Sequence, residues 1–232
     1  MKRARWVIPL IVLPTLAAAF VPPPSFVINK WVGRTKSVRT IHVRQKTTLY
    51  ENGQPAGSLD EELWMKRPGL YRKTMSYAQG NVDWIVGPQK AGRLFQGKFD
   101  VVPPMEVMGA AGLFYVYGDS KRLTAGFRQA GVTSDVARWV LRDREVGFEI
   151  GDAAGSRVIF AKNENRPMAA ELGGKSHRFS ISNPPRFRIP YPEIIEVSVQ
   201  GKLTERTEIT SVDVDGPIAD SLFEVRSASP KR

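Results

Sequence analysis

The chain has 232 residues, no cysteine, and 34 Lys and Arg against 23 Asp and Glu, a formal charge of +11. Lack of cysteine excludes disulfides, thiolate catalysis, zinc-thiolate sites and a lipidated amino terminus. The Lys and Arg residues are scattered along strand-like segments, not gathered in a run. That pattern argues against nucleic acid and leaves anionic lipid headgroups, an acidic partner or a merely solvated surface.

At the amino terminus, Lys2, Arg3 and Arg5 precede a stretch from Trp6 to Leu16 that is apolar apart from Thr15, and Ala17-Ala18-Ala19 follows. Basic, apolar and small-residue regions in this order predict an export signal over residues 1–19, cleaved after Ala19. A retained anchor would need about 20 consecutive apolar residues, and Pro9 and Pro14 interrupt this stretch. Cleavage removes three cations and leaves about +8, still a basic protein. Residues 20–25, with Pro22-Pro23-Pro24, read as a linker. Residues 26–226 then form one domain, and 227–232 a polar tail.

Ser25 is placed to cap a short helix through about Arg34, with Phe26, Ile28, Trp31 and Val32 as core contacts. From Ser37 the period changes to two, with Ile41, Val43 and Leu49 alternating with His42, Arg44 and Lys46. Strands follow at Glu62 to Arg67, Leu70 to Tyr77, Val82 to Val86 and Arg93 to Gln96, joined by Gly, Pro and Asn turns. Short turns between consecutive strands indicate an antiparallel meander. Met105 to Leu113 and Ser120 to Ala130 read as helices laid against it, and strand signals resume from Val136 to Val214. The reading is a mainly β (α+β) chain of about eleven strands in one curved antiparallel sheet with covering helices.

Catalysis finds little support. His42 and His177 are the two histidines, and neither lies near a G-x-S-x-G elbow, which the chain lacks. Gly174-Lys175-Ser176 ends like a phosphate loop, but Ala169 stands where the first glycine belongs. Asp213, Asp215 and Gly216 imitate part of a calcium loop whose two end ligands are missing. Asp60-Glu61-Glu62, and Asp143 with Glu145, read as carboxylates at turns or on outward strand positions. The expectation is a non-enzymatic protein with no cofactor and no metal.

Leu63-Trp64-Met65-Lys66-Arg67-Pro68-Gly69-Leu70-Tyr71-Arg72 is the most specific stretch. It resembles the outer-membrane lipoprotein carrier family, the LolA and LolB-like proteins, in which Leu-Trp precedes a Lys-Arg-Pro turn and an aromatic residue follows. Pro217-Ile218-Ala219-Asp220-Ser221-Leu222-Phe223 resembles the closing pattern of that family. The resemblance implies an unclosed antiparallel half-barrel whose apolar face is covered by helices and holds acyl chains of lipoproteins or phospholipids in the periplasm. It further implies an inner-membrane release complex and an outer-membrane receptor as partners. A related use of the fold is an envelope sensor or regulator of mislocalised lipoproteins. The helical interruption and the hairpin at Gly173-Gly174 make this chain longer than the short carriers.

Alternation puts Leu63, Met65 and Arg67 on one face and Glu62, Trp64 and Lys66 on the other. An arginine at the edge of an apolar cavity needs carbonyls or an acid for its donors, which makes Arg67 a candidate latch between sheet and helices. The matching arginine of the family is associated with its lid. Tyr71 is expected at the cavity mouth. Ile41, Val43, Leu49, Leu63, Met65, Met75, Trp84, Phe148, Phe160, Val197 and Val199 are the expected lining.

Overall fold

The computed structural model describes residues 21–133 and 135–225. The expected signal at 1–19, its cleavage site after Ala19 and the tail at 227–232 lie outside the described residues.

Thirteen strands form one antiparallel sheet. The first meander comprises β1 (Thr40–Glu51), β2 (Gln54–Lys66), β3 (Leu70–Tyr77), β4 (Gly80–Val86), β5 (Ala91–Phe95) and β6 (Lys98–Val101). The second comprises β7 (Ala137–Arg142), β8 (Glu145–Gly151), β9 (Arg157–Ala161), β10 (Pro167–Leu172), β11 (Lys175–Ser180), β12 (Ile194–Val199) and β13 (Lys202–Val214). Pairing of β1 with β13 joins the two, so β6 and β7 are the free edges of an unclosed sheet. The strands outnumber the eleven expected. Five hairpins turn on two-residue loops with both residues at positive φ: Asn52-Gly53, Gln96-Gly97, Asp143-Arg144, Gly173-Gly174 and Gln200-Gly201. Such turns match the twist of the flanking strands and hold a meander together. Short β6, behind the Gln96-Gly97 turn, has too few residues to show a period.

Three helices cover one face. These are α1 (Pro24–Thr35), α2 (Pro104–Val116) and α3 (Ser120–Gln129). Helices α2 and α3 lie in the connection from β6 to β7, so the chain passes from one free edge to the other across the inner face. Two expectations for α1 are corrected. Pro23 is its N-cap and Pro24 its first residue, so no side chain caps it. Proline replaces a cap there because its missing N–H removes one of the unpaired donors. Phe26 is 47% exposed, whereas Val27, Ile28 and Trp31 turn inward. Asp119 caps α3 by accepting from the Arg122 N–H at 2.8 Å. Helix α2 breaks at Gly109, whose φ of 61° suits glycine.

The core lies between helices and inner face. Phe114 of α2 meets Phe127, Phe160 and Phe179 edge-on at 5.5–5.6 Å, and Trp31 meets Tyr115 at 5.3 Å. Trp31 Nε1 also donates to the Phe114 carbonyl at 3.1 Å, which fixes α1 to α2. No helix among the described residues is long and apolar enough to cross a membrane.

Candidate functional site

Arg67 follows the last residue of β2 and continues the inward parity of Leu63 and Met65, both buried. Its Nε donates to the Tyr115 carbonyl of α2 at 2.9 Å. Nη1 donates to the carbonyl of Val38 at 3.1 Å and also to that of Thr35, and Nη2 to Thr35 Oγ1 at 3.2 Å. One guanidinium therefore joins the end of the strand to α2 and to the end of α1. Burial lowers its pKa from 12.5 to about 10, against the raising influence of Asp215 and Tyr115. At neutral pH it stays charged, so all its donors are present. Gly118 runs close past it, and a Cβ there would lie 3.1 Å from Arg67 Cδ.

Tyr71 lies deeper than the mouth. It is 2% exposed and packs under Gly112 of α2, where an added Cβ would stand 3.1 Å from its ring. Burial raises its pKa well above 10, and it does the same to Tyr115 of α2.

The expected lining residues divide into two groups. Ile41, Val43, Leu63, Met65, Phe148 and Phe160 are 0–5% exposed and belong to the core that the helices cover. Leu49, Met75 and Trp84 are half-buried and Val199 is 36% exposed, on parts of the strands that the helices leave open. Val197, 6% exposed, lies between them in parity with Val199. Helix side chains now occupy the apolar floor that an acyl chain would need.

No known protein family matches the chain by sequence, and no curated protein does. Among solved structures, a LolA superfamily protein from Nitrosomonas europaea superposes with a TM-score of 0.53 at 11% identity, over 88% of this chain and 98% of the other. The chain has a LolA-like fold. A DUF1329 family protein from Desulfovibrio piger aligns at a TM-score of 0.46 and 13% identity, covering 88% of this chain and 98% of its own. Lipoprotein LppX of Mycobacterium tuberculosis aligns at 0.35 and 12%, over 84% and 97%.

Within this LolA-like sheet the inner face also carries a polar band that the sequence reading placed outward. Glu61 is 4% exposed and points inward. Its Oε2 accepts from Gln45 Nε2 at 2.5 Å and Thr47 Oγ1 at 2.8 Å, and Lys73 Nζ lies 3.5 Å from Oε1. Thr47 in turn meets Thr207 at 2.8 Å. A buried carboxylate requires such a set of donors. The signal was present in the sequence, because Glu61 shares the parity of Leu63, Met65 and Arg67. The other carboxylates do lie outward: Asp143 pairs with Arg178 at 3.0 Å and Glu145 with Arg166 at 2.8 Å. Asp215, in the calcium-like segment, accepts the Arg39 N–H at 2.8 Å and so ties the end of β13 to the start of β1.

The two histidines lie on opposite faces of the sheet. His177 is half-buried on the inner side of β11, and burial with nearby Lys175 lowers its pKa from 6.5 to about 4. His42 lies on the outer face, its ring parallel to that of Trp64 at 5.2 Å.

Proposed function

We propose that the protein is a periplasmic carrier that holds the acyl chains of lipoproteins or phospholipids between its sheet and its helices, with Arg67 as the latch of the covering helices. The observation that carries this reading is the hydrogen bonding of Arg67 to Thr35, Val38 and Tyr115, by which one side chain ties the end of the strand to two helices. Tyr71 is the ring on which α2 rests when the lid is closed.

Two magnitudes bear on an exchange of lid for cargo. Burying a chain of about sixteen carbons gains on the order of 0.8 kcal/mol per methylene, roughly 12 kcal/mol in all. A few hydrogen bonds to a charged donor contribute about 1.5–3 kcal/mol each. The helix side chains lose a comparable apolar contact when cargo replaces them, so the exchange is near balance and the bonds of Arg67 weigh on its outcome; the cargo then covers Ile41, Val43, Leu63, Met65, Phe148 and Phe160, while Leu49, Met75, Trp84, Val197 and Val199 receive its other end. Such binding depends on apolar area and reads little of the cargo's identity. It uses no cofactor and makes no bond. Export by residues 1–19 and handover from an inner-membrane release complex to an outer-membrane receptor complete the proposal.

The test is to purify the protein from its native envelope and identify what accompanies it by mass spectrometry. Lipidated peptides or phospholipid support the carrier. An empty protein that also binds no acyl probe refutes it.

A further inference from the structure

Two pieces of the sequence that the carrier leaves unused meet on the outer face. The first is Trp64. Strand register puts Asp213, His42, Trp64, Arg72 and Ile85 side by side across β13, β1, β2, β3 and β4. The second is the closing segment 216–224, which leaves β13 and crosses these strands as a strap. Thr40 Oγ1 donates to the Gly216 carbonyl at 2.7 Å, Lys66 Nζ to that of Ile218 at 3.0 Å, and Arg72 Nη1 to that of Leu222 at 2.9 Å. Lys66 also pairs with Asp220 at 2.6 Å, and Phe223 is fully buried.

Between strap and strands lies a cleft of about 690 Å³, bordered by Thr40, His42, Trp64, Leu94, Asp213 and Ser221 among others. A second cleft of about 560 Å³ continues along the same strands past Glu62, Thr74, Ser76 and Asn81. Trp64 borders both. Each volume is that of a small-molecule site.

The lining selects a chemical class. In the first cleft the cation, Arg72, is engaged with Asp83 at 2.7 Å, and along the second Arg44 lies 3.7 Å from Glu62 while Lys46 stands among Asp60, Glu61 and Glu62. Asp213, with its side chain 64% exposed, adds a carboxylate, and Thr40, Thr74, Ser76 and the strap carbonyls add neutral acceptors. A phosphate or carboxylate ligand in the first cleft would find Arg72 already paired and would meet the carboxylates of Asp213 and Glu224. An acyl chain would strand these polar groups without partners. What fits is an uncharged ligand with many O–H donors and a flat C–H face for an indole, which describes a sugar ring.

We propose that the outer face of the sheet binds an uncharged glycan in the double cleft beside the strap, with the part of the Trp64 indole that the stacked His42 ring leaves open as its platform and Asp213 and Glu62 as acceptors for its hydroxyls. This site is separate from the acyl face, and the two proposals stand or fall separately.

The full chain is titrated with chitotetraose, an uncharged N-acetylglucosamine tetramer, by calorimetry and tryptophan fluorescence. Binding below about 1 mM with a change in tryptophan emission is expected. Trp64→Ala should weaken it about tenfold or more, and Asp213→Asn several-fold, with binding of a fluorescent fatty acid unchanged. Should Trp64→Ala not fold, Trp64→Phe takes its place and should lose the emission change and most of the affinity. Four results would each overturn the proposal. They are no binding at about 5 mM, affinity undiminished in both Trp64 variants, tighter binding of an anionic heparin oligosaccharide, and preference for an extended peptide.

Discussion

Replacing Arg67 by leucine removes the proposed latch while filling much of its volume. The variant loses bonds to three main-chain carbonyls and one hydroxyl. Each bond to a charged donor contributes about 1.5–3 kcal/mol net. Arg67 is half-buried, so water can reach some of the abandoned acceptors. A net loss of roughly 3–4 kcal/mol for the closed arrangement follows. At about 1.4 kcal/mol per factor of ten, the ratio of open to closed lid rises by roughly two to three orders of magnitude.

A ligand that needs the open lid binds more weakly by the fraction of molecules that are open, and the variant removes part of that reduction. The affinity for a fluorescent fatty acid should therefore rise by up to about a hundredfold, chiefly through faster association. Hydrogen exchange at α2 amides should accelerate by a comparable factor, while the central strands β1 and β13 keep their protection. Because the pKa of Arg67 stays at about 10, the wild-type latch should hold unchanged up to about pH 9. The reasoning fails if Arg67→Leu unfolds several degrees lower yet binds and releases the probe normally, with α2 exchange unaltered. Arg67 would then be a structural residue.

Two further predictions concern the strap and acid. A Cβ at Gly87 would lie 2.5 Å from the Phe223 carbonyl oxygen, so Gly87→Ala should lift the strap at a cost of about 1–3 kcal/mol. Limited proteolysis should then cut within 216–225, and a variant as resistant as wild type would contradict the docking described above. His177 has a folded pKa of about 4 against 6.5 for a free side chain. The unfolded chain therefore binds the extra proton first, and stability present above pH 6.5 is lost as the pH falls toward 4, by at most about 3 kcal/mol. Denaturant midpoints of His177→Gln should be flatter over that window, and a slope equal to wild type would assign the acid sensitivity elsewhere.

What was legible in the sequence is what repeats. Period two in β1 and β3 and the Gly-containing turns were enough to give a meander, and apolar runs between Met105 and Ala130 gave the helices. Strand β6 was missed because four residues behind a Gln-Gly turn have no period, and the start of β2 because Gln54 to Asp60 contains Pro55 and Gly57, has one large apolar residue, Leu59, and is exposed as far as Ser58. The donors of Arg67 could be anticipated from its company of apolar residues, but not their acceptors. Thr35, Val38 and Tyr115 are contacted through main-chain oxygens, which have no sequence signature. Glu61 was misplaced although its parity was plain, because a carboxylate is read as solvated until its partners are known. Those partners, Gln45, Thr47 and Lys73, come from two other strands.

The Lys-Arg-Pro turn has a consequence that neither face shows alone. Successive residues of a strand point to opposite sides, so Lys66 and Arg67 cannot serve the same face. Lys66 holds the strap on the outer side, through Ile218 and Asp220, while Arg67 holds α1 and α2 on the inner side. The turn between them is itself fixed to α2, since the Gly69 N–H donates to the Val116 carbonyl at 3.2 Å. Any opening of the helices that draws this turn with it also pulls on the strap, and a ligand seated beneath the strap opposes that opening. Hydrogen exchange on Arg67→Leu reads the coupling directly: amides of 220–224 should lose protection together with those of α2. Loss confined to α2 would show that the backbone at Lys66-Arg67 is rigid enough to keep the two faces independent.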